Sequence, residues 1–189
     1  MITLDDMVTR QSISQDGAEL LRGIAAARHS FLVYAPPRNA GKSTLVQAIV
    51  AEAPASVPRR DFLGTNHEVD ALSAEPQRGY LLVAEIGHRG RPGYLAGEEV
   101  ARVFALVAKG WALASSLHAD SVDEVFDVLQ RNGVDPASAA SVRYLAKVRP
   151  LGDPNDPGTR RVVEQVHEVT GVDGQTPISA LRYHWQGSE

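Results

Sequence analysis

The sequence predicts an α/β fold, with a mostly parallel central sheet, flanking helices and an antiparallel C-terminal extension. Three observations carry this expectation. Short apolar runs at 31–34, 80–84 and 111–116 alternate with segments patterned as helices. A glycine-lysine-serine loop follows the first run and opens a helix. After Gly133 the helical spacing gives way to alternating and turn-rich segments.

Taken in order, Ala18 to Ala27 is apolar at helical spacing through Leu20, Leu21, Ile24 and Ala25, which predicts a helix beside the sheet. Phe31-Leu32-Val33-Tyr34 reads as a short buried strand. Ser43 to Val50 reads as a helix that the stretch from Pro54 to Pro58 ends. Arg59 to Pro76 is polar and weakly patterned, with one apolar patch at Phe62-Leu63, and no element is assigned to it. Tyr80 to Ala84 gives a second buried strand, ending at Glu85. A basic, turn-rich loop follows, from His88 to Gly93. Glu98 to Ala108 is helical by pattern, and Trp111 to Ser116 is a third strand with His118 just beyond it. Ser121 caps a helix carrying Val122, Val125, Phe126 and Leu129 on one face. Strands are expected at Val142–Val148, Arg161–Val169 and Ala180–Trp185, with a turn at Asp153–Gly158. There is no internal repeat.

Composition narrows the function. A chain of 189 residues, 43% of them hydrophobic, supports one core and reads as a single domain over residues 1–189. The formal net charge of −4 argues against a nucleic-acid surface as the main business. With no cysteine, disulfides and thiolate metal sites are excluded, and a reducing cytoplasm fits. The N-terminus lacks a basic and apolar leader pattern, and no apolar run approaches a membrane span. Any membrane role is therefore expected through partners, at the inner face of the membrane.

The chemistry begins at Pro36-Pro37-Arg38-Asn39-Ala40-Gly41-Lys42-Ser43, which is G-x-x-x-x-G-K-[ST] with proline in the first glycine's place. Such a loop binds phosphate through backbone N–H groups and the start of the following helix. The expected phosphate-binding set is Arg38, Asn39, Ala40, Gly41, Lys42, Ser43 and Thr44. Gly41 allows close approach, Lys42 supplies charge to the β and γ phosphates, and Ser43 ligates Mg2+. Asn39 tolerates a left-handed backbone. Pro36 and Pro37 lack N–H groups, so the loop's first half cradles less and is stiffer.

Two further residues stand at strand ends. Glu85 ends the second strand, where ligands bind in open α/β sheets, and either holds Mg2+ through water, polarises an attacking water, or simply terminates a strand. His118 follows the third strand and either meets a γ-phosphate or is structural. The spacing of His67, His88 and His118 fits no compact metal motif. The loop from His88 to Arg91 is read equally as an anion or partner contact and as a solvated turn.

These motifs together resemble the ATPase domain of the type II/type IV secretion, pilus and Tad-type assembly ATPases. FLVYAPPRNAGKSTL is similar to that family's Walker A segment. LLVAEIGHRGRPGYLAGEEVARVFALVAKGWALASSLHADSVDEV is similar to its Walker B, intervening helix and histidine box. In that span Glu85 falls on the Walker B glutamate, Glu98 on the acidic helix start, and Lys109-Gly110-Trp111 replaces Thr-Gly-His. Ser116 to Ser121 resembles the histidine box. GTRRVVEQVHEVTG resembles the strand pair that follows, and ITLDDMV with ISQDGAELLRGIAAAR resembles the Tad-type lead-in.

The resemblance implies a RecA-like P-loop NTPase fold, with ATP and Mg2+ as cofactors and Lys42, Glu85 and His118 as catalytic residues. It also implies a homo-oligomeric, hexameric ring and membrane-embedded secretion or pilus platform proteins as partners. Two departures are expected to weaken turnover. The family's N-terminal domain, which contributes arginines to the nucleotide, has no counterpart here. The arginine is therefore expected from a neighbouring copy, through Arg89 or Arg91. The family's acidic box between Walker A and Walker B is eroded, leaving Asp61 and Glu68 as candidate bases. The expected function is ATP hydrolysis driving export or filament assembly. The alternative is a non-hydrolysing, nucleotide-dependent interaction or regulatory module. A small-molecule kinase is disfavoured by the lack of an Arg-rich lid, and a DNA translocase by the acidic balance.

Overall fold

The computed structural model describes residues 1–87 and 93–187. Helices α1 (Leu4–Thr9) and α2 (Gln15–Ala26) precede strand β1 (Phe31–Tyr34) and helix α3 (Lys42–Ala51). Strand β2 (Arg59–Asp61), helix α4 (Asn66–Ala74) and strands β3 (Tyr80–Leu82), β4 (Glu85–Ile86) and β5 (Tyr94–Leu95) follow. Then come helix α5 (Glu98–Val107), strand β6 (Ala112–Leu117) and helices α6 (Val122–Arg131) and α7 (Pro136–Ala139). Strands β7 (Tyr144–Pro150), β8 (Arg161–Asp173) and β9 (Thr176–His184) complete the chain.

The main sheet has the order β2-β3-β6-β1-β7-β8-β9, with β4 joined to β6 and β5 to β4. Pairing is parallel from β2 through β7 and antiparallel for β7–β8 and β8–β9. This is a mixed α/β architecture with a mostly parallel centre and an antiparallel C-terminal extension.

Alternation along the strands builds a core on each face. Phe31, Val33, Tyr80, Ala112 and Ala114 face one way, toward Leu21 and Ile24 of α2 and Leu45 and Ile49 of α3. Leu32, Tyr34, Leu81 and Leu113 face the other, toward Val103 of α5 and Phe126 of α6. A strand apolar at every position, such as β1, is what two helical layers require. Side chains at Thr3, Ser14, Thr65 and Ser121 cap their helices, each worth about 1 kcal/mol.

The polar interval from Arg59 holds two elements that the sequence pattern hides. β2 is a three-residue edge strand with two exposed positions, and α4 buries Leu72 alone. Neither contains enough apolar residues to show a period. The second buried strand is also shorter than expected. β3 stops at Leu82, and Glu85 begins β4 instead of ending β3. The chain changes partner there: Val83 N–H donates to Ala114 of β6, whereas Ala84 N–H donates to the Gly93 carbonyl. The basic loop from His88 to Arg91, with Arg89 and Arg91, lies outside the described residues. Among the described residues no helix is long and apolar enough to cross a membrane.

The extension is fastened by a buried carboxylate. Glu168 on β8 accepts from Arg182 at 2.7 Å on one side and from Arg143 at 2.9 Å on the other. The Arg182 hydrogen bond, then that from Arg143, holds its carboxyl below the ordinary value of 4.5 against the opposing effect of burial. A lowered carboxyl contributes stability that is present above the unfolded value and lost as pH falls through the folded one. Glu168→Gln is therefore expected to lower unfolding stability by about 1–3 kcal/mol at neutral pH. It is also expected to flatten the loss of stability below about pH 4.5, measured by urea unfolding across a pH series.

Candidate functional site

Parallel pairing sets the site. β1 lies between β6 and β7, with Tyr34 level with Leu117 on one side and Lys147 on the other. The loop after β1, His118 after β6 and the turn after β7 therefore emerge at one edge. β4 pairs with the end of β6 through Ile86 and Leu117, which brings Glu85 to the same edge. A groove of about 1170 Å3 opens there, lined by residues 38–45, Glu85, His118 and the 154–163 segment.

The loop has the backbone that its residues allow. Gly41 takes φ +93° and Asn39 takes φ +59°. Helix α3 starts at Lys42 with no side-chain cap and no acidic residue in its first turn. Among the described residues, the N–H groups of Gly41, Lys42, Ser43 and Thr44 make no hydrogen bond. Four unpaired donors at the positive end of a ten-residue helix are what an anion needs.

Lys42 is buried, with 6% of its surface exposed. Its Nζ donates to the Pro37 carbonyl at 3.3 Å and lies 3.4 Å from both ring nitrogens of His118. The His118 ring is held by the phosphate loop. Nδ1 is 2.9 Å from the Pro36 carbonyl, which only accepts, so Nδ1 carries the proton. Nε2 lies 3.4 Å from Lys42 Nζ and 3.5 Å from Glu85 Oε1. Glu85 is itself buried. Burial lowers the Lys42 ammonium from its ordinary value; Glu85 opposes this, and Arg38 adds to it.

Electrostatically the groove departs from the chain as a whole. Arg10, Arg38, Lys42, Arg160 and Arg161 line it, against Glu85 as the single lining carboxylate among the described residues. A cationic concavity in a chain of net charge −4 focuses attraction on an anionic ligand. Ser43 is exposed and Thr44 half-buried on the same wall. Hydroxyl and carboxylate oxygens fit a hard cation, and the described residues contain no cluster of three or more His, Asp or Glu that would cage one. A cation held largely by its ligand's phosphates and water matches that donor set, which is the habit of Mg2+.

Lys42, Glu85 and His118 are thus brought together, with the 38–44 loop beside them. Asp61 and Glu68 are not. Asp61 is exposed on the edge strand β2, three positions from β1. Glu68 is committed to the α4 cap, accepting from the N–H groups of Leu63 at 2.9 Å and Thr65 at 2.8 Å. Arg10, Arg38, Arg160 and Arg161 of this chain line the groove, while the expected Arg89 and Arg91 lie outside the described residues. Sequence reasoning missed Arg161, Asn155 and the N-terminal wall at Met7 and Arg10. The Pro/Gly/Asp turn announced a reversal, but nothing local says that it folds onto the phosphate loop.

The solved structure of the VirB11 ATPase from the Brucella suis type IV secretion system, in complex with sulphate, is similar to this chain, with a TM-score of 0.59. Sequence identity is 16%, over 89% of this chain and 56% of that one. The likeness is one of fold, and this chain spans little more than half the length of that ATPase. No protein-family model and no curated protein matches the sequence.

Two substitutions separate the loop from the discarded carboxylate. Gly41→Ala places a Cβ at φ +93° and 3.1 Å from Arg161 Cδ. It should lower unfolding stability by about 1–2 kcal/mol in a denaturant titration. Glu68→Ala should cost about 1 kcal/mol through its cap and leave phosphate-ligand affinity unchanged by calorimetric titration.

Proposed function

We propose that the chain is a RecA-like P-loop NTPase domain that binds ATP with Mg2+ and hydrolyses it. The observation that carries this reading is the buried Lys42, in reach of His118 and beside Glu85, under a helix start with four unpaired amides. The fold shared with a type IV secretion ATPase supports it.

ATP would be held by the N–H groups of the 38–44 loop, with Lys42 supplying charge to its β and γ phosphates. Mg2+ would be held by Ser43 and, partly through water, by Glu85, and supplies neutralisation of phosphate charge. The reaction is attack of water on the γ-phosphate, with release of ADP and phosphate. Glu85 orients and polarises the water, which its burial favours by strengthening the field it exerts. His118 is locked by Pro36 on one nitrogen and presents the other to Lys42 and Glu85. Any shift of Lys42 toward a ligand is therefore felt by the imidazole, the position of a γ-phosphate sensor. In the assembled protein this activity would serve export or filament assembly, as a ring of copies working with membrane-embedded platform proteins.

A second reading has its own observation. Glu85 is the single carboxylate lining the groove among the described residues, Glu68 being spent on a cap. A site with one carboxylate suits a nucleotide-dependent interaction or regulatory module that binds without turnover.

Phosphate release and binding of a fluorescent ATP analogue decide between them. Lys42→Ala should weaken binding about tenfold or more. Glu85→Gln should keep binding and slow release about 100-fold. Tight binding with no Lys42-dependent release establishes the second reading, and absence of binding overturns both.

A further inference from the structure

The turn between β7 and β8 folds back over the phosphate loop, and Arg161 makes most of the junction. Arg161, the first residue of β8, donates from Nε to the Asn39 carbonyl at 2.8 Å. Its Nη1 donates to Thr159 O at 2.7 Å, and its Nη2 to Pro154 O at 2.9 Å and Asp156 O at 3.3 Å. Beside it, Asn39 Nδ2 donates to Asn155 Oδ1 at 3.1 Å. The Arg161 stem also packs on the loop: a Cβ added to Gly41 would meet its Cδ at 3.1 Å.

We infer that Arg161 is the positioning residue of the phosphate loop, holding it from outside in the form that binds a phosphate-bearing ligand. The identity of that ligand as a nucleoside triphosphate rests on the function proposed above; the positioning role does not.

Three features carry the inference. First, of the loop residues with positive φ, Asn39 has its carbonyl held by Arg161, and the space that a Cβ on Gly41 would enter is bounded by the Arg161 stem. Asn39 occupies a conformation that glycine takes freely and that any other residue takes at a cost. A hydrogen bond from a cation to its carbonyl is a strong restraint. Second, the peptide is planar and trans, so fixing the Asn39 carbonyl aims the Ala40 N–H in the opposite direction. Third, the loop's first half cannot fasten itself, because Pro36 and Pro37 have no N–H. It is gripped instead by its carbonyls: Pro36 by His118, Pro37 by Lys42 and Asn39 by Arg161.

Arg161 is a positioning and not a catalytic residue. Four of its five donor hydrogens end on backbone carbonyls of the loop and the turn. Lysine cannot replace it, since one ammonium cannot reach Asn39 and the 154–159 carbonyls together.

The test is a rescue. Arg161→Gln and Arg161→Lys are each expected to weaken a fluorescent ATP analogue about tenfold or more. Adding Asn39→Gly to Arg161→Gln should recover most of that loss, because glycine takes positive φ unaided. In the ligand-free protein, 15N order parameters of the 38–44 amides should fall from about 0.85 to below about 0.6 in Arg161→Gln, with those of β1 unchanged. No rescue by Asn39→Gly means that Arg161 acts on the ligand or on global stability, and overturns the inference. So does an unchanged order-parameter profile, or a wild-type loop already below about 0.6. Should the wild-type protein bind no nucleotide, the proposed function falls, and the order parameters alone decide the role of Arg161. Arg161→Lys, the milder change, serves both measurements if Arg161→Gln fails to fold.

Discussion

Burial of β1 on both faces and both edges is the constraint from which the groove follows. Its four residues are packed by α2 and α3 on one side and by α5 and α6 on the other. β6 and β7 flank it in parallel register. A strand so enclosed can neither slip nor twist independently, since a one-residue shift would exchange its two faces. The loop that leaves it is therefore delivered to one place. So are the chain ends that leave its neighbours, which are His118 on one side and the β7–β8 turn on the other. Glu85 arrives by a different route, through the partner change at Ala84 that moves the chain from β6 toward β5.

What the groove then has to solve is the burial of a cation. Lys42 is nearly inaccessible, and taking an ammonium out of water is unfavourable unless its three donors find acceptors. The chain provides the Pro37 carbonyl and the His118 ring, with the Glu85 carboxylate close by. Both contacts with Lys42 are long, at 3.3 and 3.4 Å. That leaves an under-satisfied charge next to four unpaired amides. Such a centre gains most from an anion that engages all of them together.

Much of this was legible in the sequence, and the parts that were not share a cause. The loop and His118 could be read because each depends on local order, an apolar run and then a polar residue at its end; Glu85 stands at the same edge, but as the start of β4. The antiparallel extension was readable for the same reason, through the alternation of Arg161 to Val169. α4 was not, since among its nine residues only Leu72 is buried and its stability rests on the Thr65–Glu68 capping box. Glu68 looked like a spare acid because it is one of the carboxylates between the two motifs, whereas its place three residues after Thr65 makes it a cap. Arg161 and Asn155 were invisible because their partner, Asn39, is more than a hundred positions away in the chain. Contacts of that separation leave no periodic trace.

The loop's departures from the glycine-rich pattern then become one arrangement instead of several defects. Prolines at 36 and 37 narrow the unfolded ensemble, so ordering the loop costs less entropy than it would for glycines. They also remove two N–H donors and the freedom to adapt around a ligand. Asn39 at φ +59° adds strain where glycine would have none. Each loss is met from outside the loop, by His118 on the Pro36 carbonyl and by Arg161 and Asn155 on Asn39. A glycine-rich loop carries its shape in its own backbone permissiveness, whereas this one borrows its shape from two other elements. The consequence is mechanical. Displacement of the β7–β8 hairpin must pull on Asn39, and displacement of the β6 end must pull on Pro36. Forces on either element therefore reach the amides beside Lys42 through one or two hydrogen bonds to the loop.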